Sequence, residues 1–431
     1  MNDVKYKTIK NCRICNSDEL ETIINLGELC LSNFLSKENM NKQLSAPLEL
    51  VMCKGDCKLI QLRHTVSAQE MFREYWYLSG INQSMINELQ HIVTSIEDLT
   101  KLNKDDVVID IGANDGTLLR HYKNKEIKTV GFEPALNLKK INSKGTSKII
   151  SDFFTFENWK NNFPNKNAKV ITAIGMFYDL DDPNKFVEDI EKTLDDNGLL
   201  IIQMMYLPLF IERNAFDGIC HEHLEYYSLF TLEYLLSKFN LKIVGLEIRE
   251  KINEGSARFY IVKNNFLNQI KIKKEFKKNL ELYKEKENKL KLYKIDIYKK
   301  MMLNINDAKD KTMSFLKLER KKGKIIHGYA ASTKGNTTLQ YYGISKEIIE
   351  AISDSNSEKW GKYTSGTNIP VISEEESRAR KPDYYFVLAW HFIEGFIKRE
   401  DDFLKNGGKF LVSMPFFQLI DKHNYKKLYI K

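Results

Sequence analysis

One stretch limits what this chain can fold into more than any other. Residues 106–119 read Asp-Val-Val-Ile-Asp-Ile-Gly-Ala-Asn-Asp-Gly-Thr-Leu-Leu. Val107–Ile111 predicts a short, mostly apolar strand. Gly112 and Gly116 then permit a tight turn, and a helix is expected to start near Thr117. The loop Asp110-x-Gly112-x-Asn114-x-Gly116 can bring backbone close to a ligand, as loops at the strand ends of doubly wound α/β sheets do. About twenty residues further on, a second strand at 129–132 ends in Glu133, a carboxylate placed to accept both hydroxyl hydrogen bonds of a ribose. Residues 148–150, 170–174 and 198–203 read as further strands, and 183–194 as an amphipathic helix, so a parallel sheet with helices on its faces is expected.

The loop chemistry bears on the cofactor. A dinucleotide site usually presents G-x-G-x-x-G, whose glycines close on a pyrophosphate. Here the pattern is G-x-N-x-G, and the neighbouring Asp110 would repel a pyrophosphate. A sulfonium cofactor is cationic and tolerates those acids, so S-adenosylmethionine is preferred to NAD. A strand-turn-helix that binds nothing is the plainer alternative. After the third strand, Asp152 can take an adenine amino group and Phe153 can pack on the ring. The fourth strand ends in Gly175-Met-Phe-Tyr178-Asp179.

Six cysteines occur, at 12, 15, 30, 53, 57 and 220. Cys12-x2-Cys15 and Cys53-x3-Cys57 are two knuckles that supply four thiolates for a tetrahedral zinc, a closed and therefore structural site. Free cysteines gathered by coincidence are the alternative. Cys30 lies between the knuckles, either as a buried apolar residue or as a substitute ligand.

At 431 residues the chain is too long for a single ordinary core. No stretch is long and apolar enough to span a membrane, and the N-terminus lacks a signal-peptide core, so a cytoplasmic location is expected. The formal charge of +8 comes from 66 Lys and Arg against 58 Asp and Glu. Much of the lysine falls between residues 270 and 324. That run reads as the solvated face of a helix spanning 268–319, and no nucleic-acid motif accompanies it. A zinc module and basic helix gripping RNA, or a scaffold without catalysis, are the readings from other classes.

The two cysteine pairs, the loop at 111–117, Cys220-His-Glu-His223-x2-Tyr226-x-Ser228, Gly255-Ser256-x-Arg258 and Gly328-Tyr-Ala-Ala-Ser-Thr-Lys-Gly-Asn336 occur in one order along nearly the whole chain. Together they resemble the three-part sugar C-methyltransferases that act on keto-deoxysugars linked to a nucleotide diphosphate. The resemblance implies a zinc module (1–65), a class I methyltransferase domain (66–265), connecting helices (266–322) and a C-terminal Rossmann-like domain (323–431) that closes over substrate. It implies that His223 is the base that removes a proton next to the keto group, with Glu222 as its companion and His221 beside them. An imidazole suits such a role on its own chemistry. A metal pair at His221 and His223, or a purely structural segment, are the competing readings. Tyr77, in the stretch Tyr75-Trp76-Tyr77, matches a cofactor-contacting tyrosine, and Gly112, Asn114, Gly116, Glu133, Asp152 and Phe153 complete the cofactor set.

The chain departs from that pattern where substrate should lie. Cys220 stands where the family usually has tyrosine, Asn253-Glu254 where it has His-Gly, and the stretch after the fourth strand lacks its usual asparagine. O-methylation of a hydroxyl by the same histidine is therefore a second expectation. Tyr178, Cys220, Tyr226 and Arg258 are expected at substrate. In the C-terminal part, Ser332 and Lys334 are expected to form a phosphate cradle at a strand-to-helix turn, a fold-forming turn without ligand being the alternative, and His391 follows a strand end where α/β ligands bind, as a substrate contact or as a satisfied surface histidine. A monomer or weak homo-oligomer without membrane or nucleic-acid partner is expected.

Overall fold

The strand that ends in the glycine loop takes its place in a seven-stranded sheet. The computed structural model describes residues 2–3, 6–73, 75, 77–252, 255–267 and 269–425. Trp76, Asn253 and Glu254 lie outside the described residues. The sheet runs Lys148–Ile150, Lys128–Phe132, Val107–Ile111, Ala168–Ile174, Leu194–Met205, Ser256–Lys263, Leu241–Arg249. Its first five strands are parallel, as expected. The last two form an antiparallel pair that the sequence analysis did not anticipate. Val107–Ile111 is buried throughout because both faces are covered. On one side Val108, Val170 and Ile201 meet Leu89, Ile92 and Ile96 of the helix Gln83–Leu99. On the other, Ile109, Ile171 and Ile202 join a core that also contains Leu50 and Ile352 from the two other large sheets. Burial on both faces is why these strands read as continuous apolar runs.

Strand order reverses between Val107–Ile111 and Ala168–Ile174, so the loops that leave these two strands open a crevice at their C-terminal ends. The turn into the helix Pro183–Thr193 is set locally. Pro183 occupies the first turn, and Asp182 accepts a hydrogen bond from the Lys185 N–H (3.0 Å).

Before this sheet, Leu20–Cys30, Leu44–Cys53 and Ile60–Leu62 pair antiparallel, and Glu225–Tyr226 of the later chain adds to Ile60–Leu62. After it, Val371–Ser373, Ile352–Asp354, Ile326–Tyr329, Tyr384–Val387 and Lys409–Val412 make a parallel Rossmann-like sheet edged by the antiparallel Gln418–Ile420. The single long helix expected over 268–319 is two helices, Lys274–Leu290 and Ile295–Lys321. Lys291 adopts a left-handed conformation (φ 54°) that ends the first helix and turns Leu292 fully into the core. Lysine rather than glycine at this position hid the break from the periodicity. Among the described residues, no helix is long and apolar enough to cross a membrane.

Candidate active site

The cofactor loop is shaped by left-handed backbone at Gly112 (φ 73°), Asn114 (φ 51°) and Gly116 (φ 79°). A side chain at Gly112 would also press on Met176, whose Cγ lies 3.1 Å from the position a Cβ would take. Glu133 is held by two backbone donors, Asn114 N–H to Oε2 (2.7 Å) and Ala135 N–H to Oε1 (2.8 Å). Burial still raises its carboxyl above the usual range. Asp110 accepts from the Thr172 hydroxyl (2.6 Å), and burial lifts its pKa to about 7. Acids around the loop fit a cationic sulfonium nucleoside better than a pyrophosphate.

A segment from Arg73 to Ile81 crosses this loop. Asn114 fastens it, accepting from Ser79 N–H (3.0 Å) and donating to Tyr77 O (2.9 Å), while Asp115 accepts from Gly80 N–H (2.6 Å). At its other end, Asn137 exchanges hydrogen bonds with the backbone of Tyr75. Arg73 donates to Asp152 (3.4 Å) and stacks over Phe153 (5.2 Å). Asn114, Asp152 and Phe153 are thus tied to this crossing segment. Tyr77 as a whole residue stands 43 % exposed beside the loop, while burial raises the pKa of its hydroxyl.

The loops at 175–179 and 220–226 meet at the other half of the crevice. His223 is buried, and its Nδ1 lies 2.8 Å from Gly218 O. A carbonyl can only accept, so Nδ1 carries the proton and Nε2 is the basic nitrogen. The ring packs edge-on against Tyr178 (4.4 Å between centroids), and Leu224 N–H donates to Tyr178 O (2.8 Å). Tyr226 donates its hydroxyl to the same Gly218 carbonyl (3.0 Å). Glu222 is buried, and desolvation lifts its pKa to about 7 against the opposing charge of Lys334 and the Tyr75 hydroxyl, which donates to it at 3.4 Å. Asp179 and Cys220 share this enclosure. Burial first, with Glu222 adding, raises both well above their ordinary values, and Lys334 opposes. Tyr178, Cys220, Glu222, His223, Tyr226 and Lys334 therefore converge, although Lys334 comes from the C-terminal sheet's first helix, Thr333–Tyr342.

Two members of the enclosure went unread in the sequence. Tyr75 directs its hydroxyl at Glu222, and Asp179 leaves Oδ1 without a hydrogen-bond partner among the described residues. The tyrosine-rich stretch is irregular loop, so no periodicity distinguishes its two faces. The signal for Asp179 was its place at the end of the fourth strand.

Arg258 requires correction. Its guanidinium is fully buried and donates to Glu88 (2.6 Å), Glu247 (3.0 Å) and Gln203 (2.7 Å), so it serves an internal charge cluster and is closed to substrate. His221 is drawn elsewhere as well. Its Nε2 donates to Ala46 O (2.8 Å) of the N-terminal sheet, and burial lowers its pKa to about 4. His221 is thus held neutral and tied to the N-terminal sheet, and among the described residues no group of three or more metal-ligating side chains includes it or His223. The Ser332 hydroxyl caps its helix by accepting from Gly335 N–H (2.9 Å). His391 packs on Phe392 (4.2 Å), while its neighbour Trp390 donates to Asp217 Oδ2 (3.0 Å), close in sequence to Cys220.

At the N-terminus, the sulfurs of Cys12, Cys15, Cys53 and Cys57 all lie within 4.8 Å of one another, and the closest pairs are 3.4 Å apart. Tetrahedral zinc at ~2.3 Å from each sulfur needs separations of roughly 3.8 Å, so the donor set fits that ion. Hydrogen bonding within the cluster holds the Cys12 thiol far below its ordinary value and pushes Cys53 and Cys57 up. Four thiols this close cannot all ionise without a cation. Gly55 is needed because a Cβ there would stand 2.6 Å from Ser17 Cβ and 3.2 Å from Cys15 Sγ. Cys30 stands apart from the four sulfurs, at the end of Leu20–Cys30.

Comparisons with known proteins fall on the same three parts. Residues 12–72 match a family described as "Putative zinc binding domain", 81–246 a "Methyltransferase domain", and 251–415 a "C-methyltransferase C-terminal domain". The chain is similar to C-methyltransferase NovU of Streptomyces niveus, 26 % identical over 418 residues, which is 96 % of this chain and 97 % of that protein. Among solved structures, an S-adenosylmethionine-dependent methyltransferase from Clostridium acetobutylicum aligns at 12 % identity and a TM-score of 0.33, covering 41 % of this chain and 92 % of the other. Magnesium protoporphyrin IX methyltransferase from Synechocystis with bound S-adenosylhomocysteine aligns at 10 % identity and 0.32, covering 42 % and 88 %.

Proposed function

The chain belongs to a three-part family of S-adenosylmethionine-dependent C-methyltransferases with an N-terminal zinc module, and from that premise we propose that it methylates a ring carbon next to the keto group of a nucleotide-linked sugar, with His223 as the base. Membership makes carbon the acceptor in place of the hydroxyl considered from sequence. When bound, the cofactor supplies an electrophilic methyl group. Gly112, Gly116 and Glu133 would hold it, with Asp152, Phe153 and Tyr77 around the nucleoside.

The observation that carries the reading is the fixed tautomer of His223. With Nδ1–H committed to Gly218 O, Nε2 is the atom that accepts the proton from the sugar carbon. Electron density left on that carbon spreads into the keto oxygen as an enolate, whose carbon would be the nucleophile for the methyl group the cofactor supplies, the methyl–sulfur bond breaking and the neutral thioether leaving. A pKa of about 7 keeps much of Glu222 protonated at neutral pH, so it can donate a hydrogen bond to a developing oxyanion or hydroxyl. Lys334 supplies positive charge from the opposite wall, suited to that oxyanion or to the diphosphate. Cys220 leaves a small, weakly donating side chain where a hydroxyl would otherwise help. Ser332 and His391 would lie towards the nucleotide.

His223→Asn should retain cofactor binding by calorimetry and lose roughly 10²–10⁴ in kcat. Wild type should also exchange the reacting carbon proton with deuterated solvent on thymidine or uridine diphosphate keto-sugars, and the variant should not. Full turnover in His223→Asn, or methylation with no exchange, would overturn the assignment.

A further inference from the structure

The segment bearing His223 is gripped from the zinc module by a side chain that the reaction itself does not use. Arg13 stands between the two thiols of the first knuckle, with its side chain only 2 % exposed. Its guanidinium donates to Gln61 Oε1 (3.1 Å), Leu62 O (2.7 Å) and Thr65 Oγ1 (2.5 Å), and its own backbone N–H also donates to Gln61 Oε1 (3.2 Å). Gln61 and Leu62 lie on the strand that pairs with Glu225–Tyr226, and Leu62 N–H donates to Leu224 O (2.8 Å). Leu224 directly follows His223.

A second link crosses the same joint. Glu225 is fully buried, accepts from the Tyr227 hydroxyl at 3.4 Å, and leaves Oε1 without a hydrogen-bond partner among the described residues. Burial raises the Glu225 carboxyl well above its ordinary value and Arg13 opposes that rise, while Asp181, 3.6 Å from Arg13 Nε, adds to it. Two ties flank this joint, Thr231 Oγ1 to Cys57 O (3.0 Å) and His221 Nε2 to Ala46 O (2.8 Å).

We propose that Arg13 is a positioning residue for methyl transfer, coupling the thiolate knuckle to residues 221–226 and so fixing where His223 and Glu222 stand. The physical basis is threefold. A metal-bound knuckle fixes the backbone at residue 13, a guanidinium fork holds several acceptors in one plane, and the fully buried Glu225 side chain on the paired strand leaves the joint little room to shift. The inference rests on His223 being the base.

The test uses the full-length, zinc-loaded protein. Arg13→Gln should lower kcat about 10–100-fold, the usual span for a residue that orients another, with one zinc per chain retained and cofactor affinity unchanged. The limb of its pH–rate profile set by the imidazole should move, and Arg13→Lys, which keeps the charge but loses the fork, should recover only part of the rate. In protein with cobalt(II) replacing zinc, Glu225→Gln should shift the thiolate-to-metal absorption bands although residue 225 does not touch the metal. This arm stands even where Arg13→Gln does not fold, and it is independent of which residue is the base. Wild-type kcat and pH profile in zinc-replete Arg13→Gln, a rate loss that only follows zinc loss, or unchanged cobalt bands in Glu225→Gln would each overturn the proposal. His223→Asn assayed alongside separates this failure from failure of the base assignment, because activity retained there counts against the base alone.

Discussion

Glu222 and His223 are neighbours in sequence, yet their protonation is set by different surroundings. His223 owes its tautomer to one carbonyl, at Gly218. Glu222 owes its raised pKa to the removal of water, which Lys334 and Tyr75 offset only in part. That shift has a consequence for stability. A carboxyl raised from 4.5 to about 7 in the folded protein is held there in its neutral form. Its contribution is fully present below about pH 4.5 and is lost as the pH rises through about 7. Glu222→Gln is neutral at every pH, so it should melt close to wild type at pH 5 and above it at pH 8, by a difference on the order of 2–3 kcal/mol. Thermal melts at the two pH values check this, and equal shifts at both would contradict it.

Among the elements, the zinc knuckles and the cofactor loop show two uses of glycine. Gly112 and Gly116 need left-handed backbone, whereas Gly55 needs empty space beside Ser17 and Cys15. Gly55→Ala should therefore weaken metal binding without removing a ligand, and overpacking of this kind costs about 1–3 kcal/mol. Cys12→Ser, which does remove a ligand, should abolish bound zinc. Zinc-to-protein ratios in the two purified variants test both statements, and full zinc content in Gly55→Ala would show that the loop yields. The elements also explain an error of reading. Arg258 sits in a Gly-Ser-x-Arg motif, which drew it towards substrate. The motif lies on Ser256–Lys263, an antiparallel strand not foreseen in the sequence, and the side chain enters a buried cluster with Glu88 and Glu247.

Over the whole molecule, the N-terminal module acts as a splint. It pairs with Glu225–Tyr226 through Ile60–Leu62 and with the C-terminal domain through Phe34–Leu35, which meets Tyr363–Thr364. Gln340, on the helix that also carries Lys334, clasps the strand edge at Cys30 by accepting from its N–H (2.7 Å) and donating to its O (3.1 Å). Gln340→Ala leaves both backbone groups unmet, at about 1–3 kcal/mol each where water cannot replace the side chain. The expected outcome is a lower melting temperature and, because Lys334 is no longer held against Glu222, a raised KM for the methyl-accepting substrate with cofactor affinity unchanged. Steady-state kinetics in each substrate distinguishes this from general destabilisation, which would reduce active protein without changing KM.

The sequence alone determined the parallel sheet, the glycine loop with its acid at Glu133, the four-cysteine set and the His-Glu-His segment. Each is local: a periodicity, a turn that needs glycine, or a spacing that a metal requires. It could not decide that Tyr75 rather than Tyr77 faces Glu222, that Arg258 and His221 are occupied by other residues, that Lys291 breaks a helix, or that Lys334 crosses to the methyltransferase sheet. Most of those outcomes depend on partners more than a hundred residues apart and on which groups lose their water when three sheets close on one core. Burial and pairing of that kind exist only once the chain has folded.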